Sequence, residues 1–338
     1  MKRVVMDSGL HDSEIRPQPL LNEFRRQSIE DANSFFSDIS QLVEVPCPAC
    51  DSAERSDAFQ KEGFTYHQCA DCESVYVSPR PTHEALARYY RESQATKYRV
   101  EHFQRETAEA RRTRLLRSLS NWLGRIVDEK GNAEARTFVD IGTNSAVLFD
   151  EIQRLGLFDS LYALRPLPGL EGELEALNVE TIDTTFHDAG AITALQQLEN
   201  QFSPFDLIKS AGDMLAINGI FFFTTRTISG FDLQMLWDKA PYIFVPEHLN
   251  LLSLEGIDRL VHRAGLNIIE LSTPGQLDLE LTAQAAKGDP SIQLPNFIEY
   301  LIHHRDELAH SDFQVFLQKH RLSSHVRVAA FRPKGVDA

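Results

Sequence analysis

Short apolar runs alternate with segments of helical spacing along the second half of the chain. The apolar runs, which predict buried strands, are "TFVDIG", "LYALRP", "VETIDT", "FDLI", "GIFFFTTRT", "LNIIELST" and "HVRVAAFRP". The segments between them, which predict helices, are "VLFDEIQRLG", "GLEGELEAL", "AITALQQLEN", "SLEGIDRLVHRAG" and "NFIEYLIHHRDELA". Strands that alternate with helices of this length favour a parallel sheet with right-handed crossovers. The pattern therefore predicts an α/β fold with a doubly wound sheet over residues 137–338.

The chain before this sheet divides into three predicted parts. Residues 1–42 form an N-terminal arm, in which "LLNEFRRQSIEDANSFFSDI" has the spacing of an amphipathic helix packed on the rest. Residues 43–82 carry the cysteines and end at the rigid "SPRP", where prolines restrict the backbone. Residues 83–136 predict a helical connection, with one helix that begins at Thr82 and a second helix over 102–127.

The four cysteines of the chain lie in one short module with the spacing C-x2-C-x18-C-x2-C. Cys47 and Cys50 form the first pair, and Cys69 and Cys72 form the second. Two such pairs let four thiolates converge on one zinc ion at about 2.3 Å from each sulfur. Four protein ligands leave no open position, so the predicted zinc is structural, and His67 is expected to be an ordinary surface residue. Four reduced thiols in a small core and an iron–sulfur cluster are the alternatives.

Composition and charge limit the classes of partner. The formal net charge is −15 and no basic stretch stands apart, so the chain would repel a phosphate backbone, and nucleic acid is not an expected partner. Apolar runs such as "IFFF" fall far below the roughly 18 residues that span a bilayer, so no membrane partner is expected either. The N-terminus lacks the pattern of a secretory signal, and a cytoplasmic location is the expectation.

Several of these segments together resemble a known family. The cysteine module with "VYVSPRPTHEALARYY", the turn "FVDIG", the strand "GIFFFTTRT" and "PEHLNLLSLEGIDRLVHRAGLNIIEL" resemble class I S-adenosylmethionine-dependent methyltransferases. More narrowly, they are similar to bacterial members with an N-terminal zinc-binding module, among them sugar C-methyltransferases and enzymes of polysaccharide gene clusters. The resemblance covers about residues 43–275 and implies a Rossmann-like sheet preceded by a small zinc-ribbon-like module.

The resemblance implies that S-adenosylmethionine binds at the turn after the first strand. Asp140, Gly142 and Asn144 occupy the positions expected to contact it. In the family further glycines let the backbone approach the methionine part of the cofactor, but Thr143, Asn144 and Ser145 stand in their places here. Thr is β-branched and adopts positive φ poorly. This departure predicts a weakened cofactor site.

Two further departures favour the same interpretation. The second strand normally ends in a carboxylate that accepts hydrogen bonds from the ribose, whereas Leu164 or Arg165 stands there and neither side chain is an acceptor. If "FDLI" is the fourth strand, only eleven residues separate Ile208 from Ile220. A parallel crossover needs about a dozen residues or more. A natural deletion, an engineered one or an unrecorded break would each leave this spacing.

Candidate catalytic residues lie in "YIFVPEHLNLLS". In the sugar C-methyltransferases that the chain resembles, a Glu-His pair after the fifth strand lies beside the substrate, and the match is Glu247 and His248, with Tyr242 upstream as a hydrogen-bond donor. An imidazole with a pKa near 6.5 suits proton removal at neutral pH. Adjacent residues on an extended chain point to opposite sides, so a purely structural role for the pair is the alternative. Arg226 is a candidate for holding an anionic group or an ordinary surface arginine.

These features predict an S-adenosylmethionine-dependent methyltransferase-like protein with a degenerate cofactor site. The expected acceptor is a sugar or another small metabolite, such as a nucleotide-sugar or a polysaccharide precursor. The expected cofactors are zinc and S-adenosylmethionine, the latter weakly bound or lost. The alternative is a catalytically impaired protein of the same fold that binds a ligand or a partner.

Overall fold

The structure, a computed structural model, describes residues 9–184 and 186–333. It begins with two helices, α1 (Asp12–Ile15) and α2 (Gln18–Phe35). The α2 helix buries Phe24, Ser28 and Ala32, which recur every fourth residue and therefore lie on one face. The predicted amphipathic helix of the arm is thus confirmed.

The cysteine region folds into short antiparallel strands. They are β1 (Leu42–Val43), β2 (Arg55–Lys61), β3 (Phe64–Cys69), β4 (Val75–Val77) and β5 (Arg80–Pro81). The β2–β3 hairpin turns through Glu62 and Gly63, both of which have positive φ, as a tight two-residue hairpin turn requires. β1 pairs with β5, which closes the module at its two ends.

A helical connection follows. It consists of α3 (His83–Glu92), α4 (Gln94–Tyr98), α5 (Ala108–Arg111) and α6 (Arg117–Lys130), with π-helical turns at Arg99–Gln104 and Arg112–Leu116. Thr82 caps α3 by accepting a hydrogen bond from the Ala85 amide, as predicted. The prediction of a single helix over 102–127 is wrong, because the helical backbone is interrupted by a turn at Thr107. The Thr107 hydroxyl donates to the Phe103 carbonyl oxygen at 2.7 Å, a local bond that bends helices.

The remaining elements build the main sheet and its covering helices. In chain order they are β6 (Thr137–Ile141), α7 (Val147–Gln153), β7 (Ser160–Leu164), α8 (Glu171–Ala176), β8 (Glu180–Ile182), β9 (Ala189–Leu195), α9 (Pro204–Met214), β10 (Leu215–Arg226), α10 (Phe231–Leu236), β11 (Asn250–Leu251), α11 (Leu254–Arg263), β12 (Asn267–Ser272), α12 (Asp278–Gly288), α13 (Asn296–His304), α14 (Glu307–Lys319) and β13 (His325–Phe331).

The sheet has seven strands in the order β12-β13-β10-β9-β6-β7-β8. β13 runs antiparallel to β10 and β12, and the other neighbouring strands are parallel. On β10, Phe221 and Phe223 belong to one hydrophobic core and Phe222 to another, so both faces of the sheet are covered. The predicted α/β sheet is confirmed. Because strand order reverses between β6 and β9, a crevice opens at their carboxyl ends, where open sheets bind ligands.

The fourth strand of the main sheet is not the one that the sequence pattern predicted. "FDLI" lies in α9, whose start is capped by Ser203 with Pro204 in the first turn. The strand is β9, which overlaps the first five residues of the segment "AITALQQLEN" that was predicted as a helix. Because β9 is buried on both faces, it lacks the alternation that identifies a half-buried strand.

This correction removes the supposed gap before β10. The crossover from β9 to β10 runs from residue 196 to residue 214 and contains the whole of α9. Its length satisfies the requirement of a parallel connection. The short spacing between Ile208 and Ile220 therefore reflects the misplaced strand and indicates no missing segment.

The cysteine region is joined to the main body by a shared sheet. β11 pairs with β4, which gives the four-stranded order β11-β4-β3-β2. At the same contact the Ser253 amide donates to the Ser74 hydroxyl oxygen at 3.1 Å. A Cβ on Gly256 would lie 2.1 Å from that oxygen, so α11 and the module approach each other closely. Across the described residues, no helix combines the length and the apolar character needed to cross a membrane.

Candidate active site and metal centre

The turn after β6 holds the residues predicted to bind the cofactor. Asp140 is buried and its carboxylate accepts hydrogen bonds from the hydroxyls of Thr143 and Thr193. Burial raises the pKa of Asp140 to about 6, against the lowering effect of these two hydroxyls. The carboxylate is therefore occupied by side chains of the protein.

Gly142 adopts the left-handed conformation with φ of +67°, which only glycine adopts without strain. The side chain of Gln197, which follows β9, lies directly over it. A Cβ at position 142 would be 2.5 Å from Gln197 Oε1, and Gln197 Nε2 donates to the Gly142 carbonyl oxygen at 2.8 Å. The space that the missing Cβ leaves free is thus taken by a glutamine.

A cavity of about 20 Å³ remains beside this turn. Asp140, Gly142 and Asn144 line it together with Leu116 from the helical connection. The structure thus brings the three predicted cofactor residues to one place. A space of this size holds about one water molecule, far less than a nucleoside.

The end of β7 offers no acid. Leu164 is buried, and Arg165 is exposed in the left-handed conformation with φ of +50°. The backbone here is used for the sheet and the turn: the Gly142 amide donates to the Leu164 carbonyl oxygen at 2.9 Å, and the Arg165 amide donates to the Ile182 carbonyl oxygen at 3.0 Å. Neither side chain supplies an acceptor for a ribose.

Larger cavities lie at the carboxyl ends of β9 and β10. One has a volume of about 200 Å³, is lined in part by Leu10, Ile15 and Arg16 of the N-terminal arm, and also reaches Asn144 and Ser145 of the turn after β6. A second, of about 120 Å³, shares Arg16, Gln196 and Arg226 with the first and reaches Tyr242, Glu247 and His248. The predicted catalytic residues and Arg226 therefore meet around one cavity, which the arm helps to enclose.

Glu247 and His248 face different partners. Glu247 is buried and pairs with Arg99, with its Oε2 2.9 Å from Nη1; burial raises its pKa, and Arg99 opposes that effect. His248 Nδ1 lies 3.4 Å from the Phe244 carbonyl oxygen. Burial and then the positive charge of Arg226 lower the pKa of His248 to about 3. The imidazole is neutral near pH 7, and its low pKa makes it a weak base there.

Tyr242 and Arg226 are held by a buried acid. The Tyr242 hydroxyl donates to Asp232 Oδ2 at 2.5 Å, and Arg226 Nη1 lies 3.5 Å from the same oxygen. The Arg226 guanidinium also stacks 4.5 Å above the Tyr242 ring. Arg226 is thus a built part of the cavity wall and not an ordinary surface arginine, and the Tyr242 proton already has an acceptor within the protein.

Glu199 is a residue of this cavity that the sequence pattern missed. It is 4% exposed, and its Oε1 accepts a hydrogen bond from the Arg226 amide at 2.9 Å. Burial raises the pKa of Glu199 to about 7, with the Glu199 and Arg226 amides and the Arg226 charge opposing that rise. Its position shortly after β9 is the signal that could have identified it, had the fourth strand been placed correctly.

The four cysteines converge as their spacing predicts. Their Sγ atoms all lie within 4.8 Å of one another, and the pairs Cys47–Cys72 and Cys50–Cys69 are each separated by 3.5 Å. Three of the thiols are buried and that of Cys50 is partly exposed. His67 is buried and not on the surface as expected, because its Nε2 lies 2.8 Å from the Ser78 carbonyl oxygen and its Nδ1 3.0 Å from Asp57.

Comparison with known proteins places the chain in a family. A family model described as a methyltransferase domain matches residues 100–271, just over half of the 338 residues. The chain therefore belongs to the methyltransferase domain family. No curated protein matches it.

Several solved structures are similar to this chain, and three of them have the following identity, coverage and TM-score. Geranyl diphosphate C-methyltransferase from Streptomyces coelicolor is 17% identical, with 69% of this chain and 85% of that one covered and a TM-score of 0.44. An S-adenosylmethionine-dependent methyltransferase from Clostridium acetobutylicum is 9% identical, with 63% and 90% covered and a TM-score of 0.40. The [4+2]-cyclase SpnF is 12% identical, with 65% and 81% covered and a TM-score of 0.38.

Proposed function

We propose that this chain is an S-adenosylmethionine-dependent methyltransferase-like protein whose cofactor site is impaired and whose acceptor is a sugar or another small metabolite. The observation that carries the proposal is the position of Gln197 over Gly142. Bound S-adenosylmethionine would need the close approach to the backbone that this glycine would otherwise allow. On this proposal the residues present at the turn do not fit the cofactor.

Two other features support impairment. The cavity that Asp140 and Gly142 themselves line has the volume of about one water molecule, and the larger cavity reaches this turn only at Asn144 and Ser145. The end of β7 carries Leu164 and Arg165 in place of an acid. The sheet beneath is complete, so the loss concerns the side chains of the site and not the scaffold.

The acceptor side is better preserved. The cavity of about 120 Å³ has Glu247, His248 and Tyr242 in its polar wall. It shares Arg16, Gln196 and Arg226 with the cavity of about 200 Å³, and the two together offer a concave, partly polar site for a small metabolite. We propose that His248 acts chiefly by hydrogen bonding, because its pKa of about 3 gives it little driving force as a base. A second candidate function is that of a non-catalytic protein that binds a small ligand. It is favoured by a cavity for the acceptor beside a turn that Gln197 covers.

We further propose that Cys47, Cys50, Cys69 and Cys72 hold a structural zinc ion. A tetrahedral site with bonds of about 2.3 Å places the sulfurs about 3.8 Å apart. The sulfur separations of 3.5 Å fit this arrangement. Metal binding would supply folding free energy to a module of few residues.

The division of the chain also remains our proposal. We assign 1–42 to an arm, 43–82 to the zinc-binding module, 83–136 to a helical connection and 137–338 to the methyltransferase-like domain. We place the protein in the cytoplasm, where thiols stay reduced, and expect neither nucleic acid nor membrane as a partner.

Calorimetric titration of the full chain with S-adenosylmethionine tests the proposed function. We expect no saturable binding in the micromolar range. Micromolar affinity would refute the impairment, and methylation of a small acceptor would then establish an ordinary enzyme. Binding of an acceptor without binding of the methyl donor would favour the non-catalytic function.

A further inference from the structure

Four guanidinium groups line the cavity of about 120 Å³. Arg16 comes from the arm, Arg99 and Arg111 come from the helical connection, and Arg226 comes from the end of β10. They thus reach one place from three separate parts of the chain. Such a concentration of positive charge is unusual for a protein whose formal net charge is −15.

Three of these guanidinium groups form ion pairs with carboxylates, and one does not. Arg16 Nε lies 2.6 Å from Asp12, and Arg99 and Arg226 pair with Glu247 and Asp232. The fourth, Arg111, donates instead to two neutral oxygens, the Thr107 hydroxyl at 2.9 Å and the Ile15 carbonyl at 3.3 Å. Among residues 9–184 and 186–333, no carboxylate forms an ion pair with Arg111.

The surroundings of Arg111 favour an anion from outside the protein. Burial, followed by the charges of Arg16 and Arg99, lowers its pKa to about 9. Arg111 is partly buried, and a desolvated cation beside like charges is costly unless a counter-ion compensates it. A guanidinium can donate two parallel hydrogen bonds to a carboxylate or a phosphate, which makes it suited to bind such a group.

A second polar group in the same cavity lacks a partner. Glu199 Oε1 accepts from the Arg226 amide, but Oε2 is buried and, within the described part of the chain, has no hydrogen-bond partner. The residue is 4% exposed and lines the same cavity as Arg111. A buried polar atom without a partner destabilises the protein, and a hydrogen bond from a ligand hydroxyl would remove that cost.

We propose that this cavity binds a small hydroxylated oxyanion, with its carboxylate or phosphate at Arg111 between Arg16 and Arg99, and its hydroxyl at Glu199 Oε2. This proposal adds the chemical class of the acceptor to the proposed function. It rests on that function only in one respect, that the cavity is the acceptor site. The arm contributes both the Ile15 carbonyl oxygen that orients Arg111 and the charge of Arg16.

Calorimetric titrations of the full chain with L-malate, succinate and inorganic phosphate, at constant ionic strength and without S-adenosylmethionine, test this proposal. We expect saturable binding of malate or phosphate. Malate should bind more tightly than succinate, which lacks the hydroxyl. Preference for malate over phosphate would identify a carboxylate ligand, and the reverse preference would identify a phosphate ligand.

Substitutions distinguish anion binding at Arg111 from a general effect of the protein's charge. Arg111→Gln should weaken binding by about tenfold or more, and Arg111→Lys, which keeps the charge, by less. Arg105→Gln, an exposed change of equal charge in the same helical connection, should leave the affinity unchanged. Circular dichroism checks that each variant folds.

Two results would overturn the proposal. One is the absence of saturable binding of all three anions to the folded wild-type chain, and the other is an equal loss of affinity in Arg111→Gln and Arg105→Gln. Because the methyl donor is omitted, these results leave the proposed cofactor impairment untouched. Conversely, micromolar binding of S-adenosylmethionine would refute that impairment without affecting the anion site.

Discussion

Gln197 lies over Gly142, and its side-chain amide donates a 2.8 Å hydrogen bond to the glycine carbonyl oxygen. The two residues follow β6 and β9, which are neighbours in the sheet, so their loops meet at the point where strand order reverses. Under the proposed function, this glutamine occupies the position that the cofactor would need at the glycine of the turn.

The cysteine cluster is expected to hold about one zinc ion per chain. Cys69→Ser should abolish stoichiometric zinc and lower the melting temperature, because metal binding contributes to the folding of the module. Elemental analysis and thermal unfolding check this expectation. Ser52→Ala, an exchange at a residue outside the sulfur cluster, is the control. A metal-free chain that is stably folded as purified would contradict the zinc assignment.

Glu199 is expected to make stability depend on pH. Its pKa rises from 4.5 in the reference state to about 7 on folding, so the folded chain holds the proton more tightly than the unfolded chain. The resulting stability is fully present below pH 4.5 and is lost as pH rises towards and through 7. Glu199→Gln cannot ionise and should be more stable than wild type above pH 7.

Urea denaturation of both proteins between pH 5 and 8 measures this difference. The difference in unfolding free energy between variant and wild type should increase with pH. A constant difference would show that Glu199 titrates alike in the folded and unfolded chains. Glu175→Gln, which changes an exposed acid on α8, is the control for the loss of one carboxyl group.

The arm is expected to stabilise the folded chain through Phe24. This ring is 8% exposed and lies 5.8 Å, between centroids, from Phe244 in the candidate site and 6.0 Å from Phe103. Phe24→Ala should cost about 3 kcal/mol of unfolding free energy, as truncation of a buried aromatic ring usually does. Phe297→Ala, at a ring that is 66% exposed, should cost less than about 0.5 kcal/mol. Chemical denaturation measures both, and equal costs would show that the arm is only loosely packed.

The parts of the fold that the sequence predicted correctly carry strong local signals. The run "GIFFFTT" is long and apolar enough to identify β10, and the paired spacing of the cysteines predicts that their sulfurs converge. β9 was missed because "AGAITAL" is short, rich in alanine and buried on both faces, so it has neither the alternation nor the β-branched content of a typical strand.

The candidate site was predicted only in part for a related reason. Glu247, His248 and Tyr242 are close in sequence, so one motif identifies all three. Arg16 and Arg111 lie far from that motif in sequence, and only the packing of the arm brings them to the cavity. Glu199 and Gln197 follow the strand that was misplaced, and their roles depend on atomic positions that no periodicity encodes.

The central claim is that Gln197 obstructs the cofactor turn. Calorimetric titration with S-adenosylmethionine should compare wild type, Gln197→Ala and the control Gln284→Ala, which changes an exposed glutamine on α12. Removing the Gln197 amide frees the space above Gly142, so we expect its affinity to rise by about tenfold, or about 1.4 kcal/mol, while wild type and control stay equally weak. Micromolar binding by wild type, or no gain in Gln197→Ala over Gln284→Ala, would contradict the account.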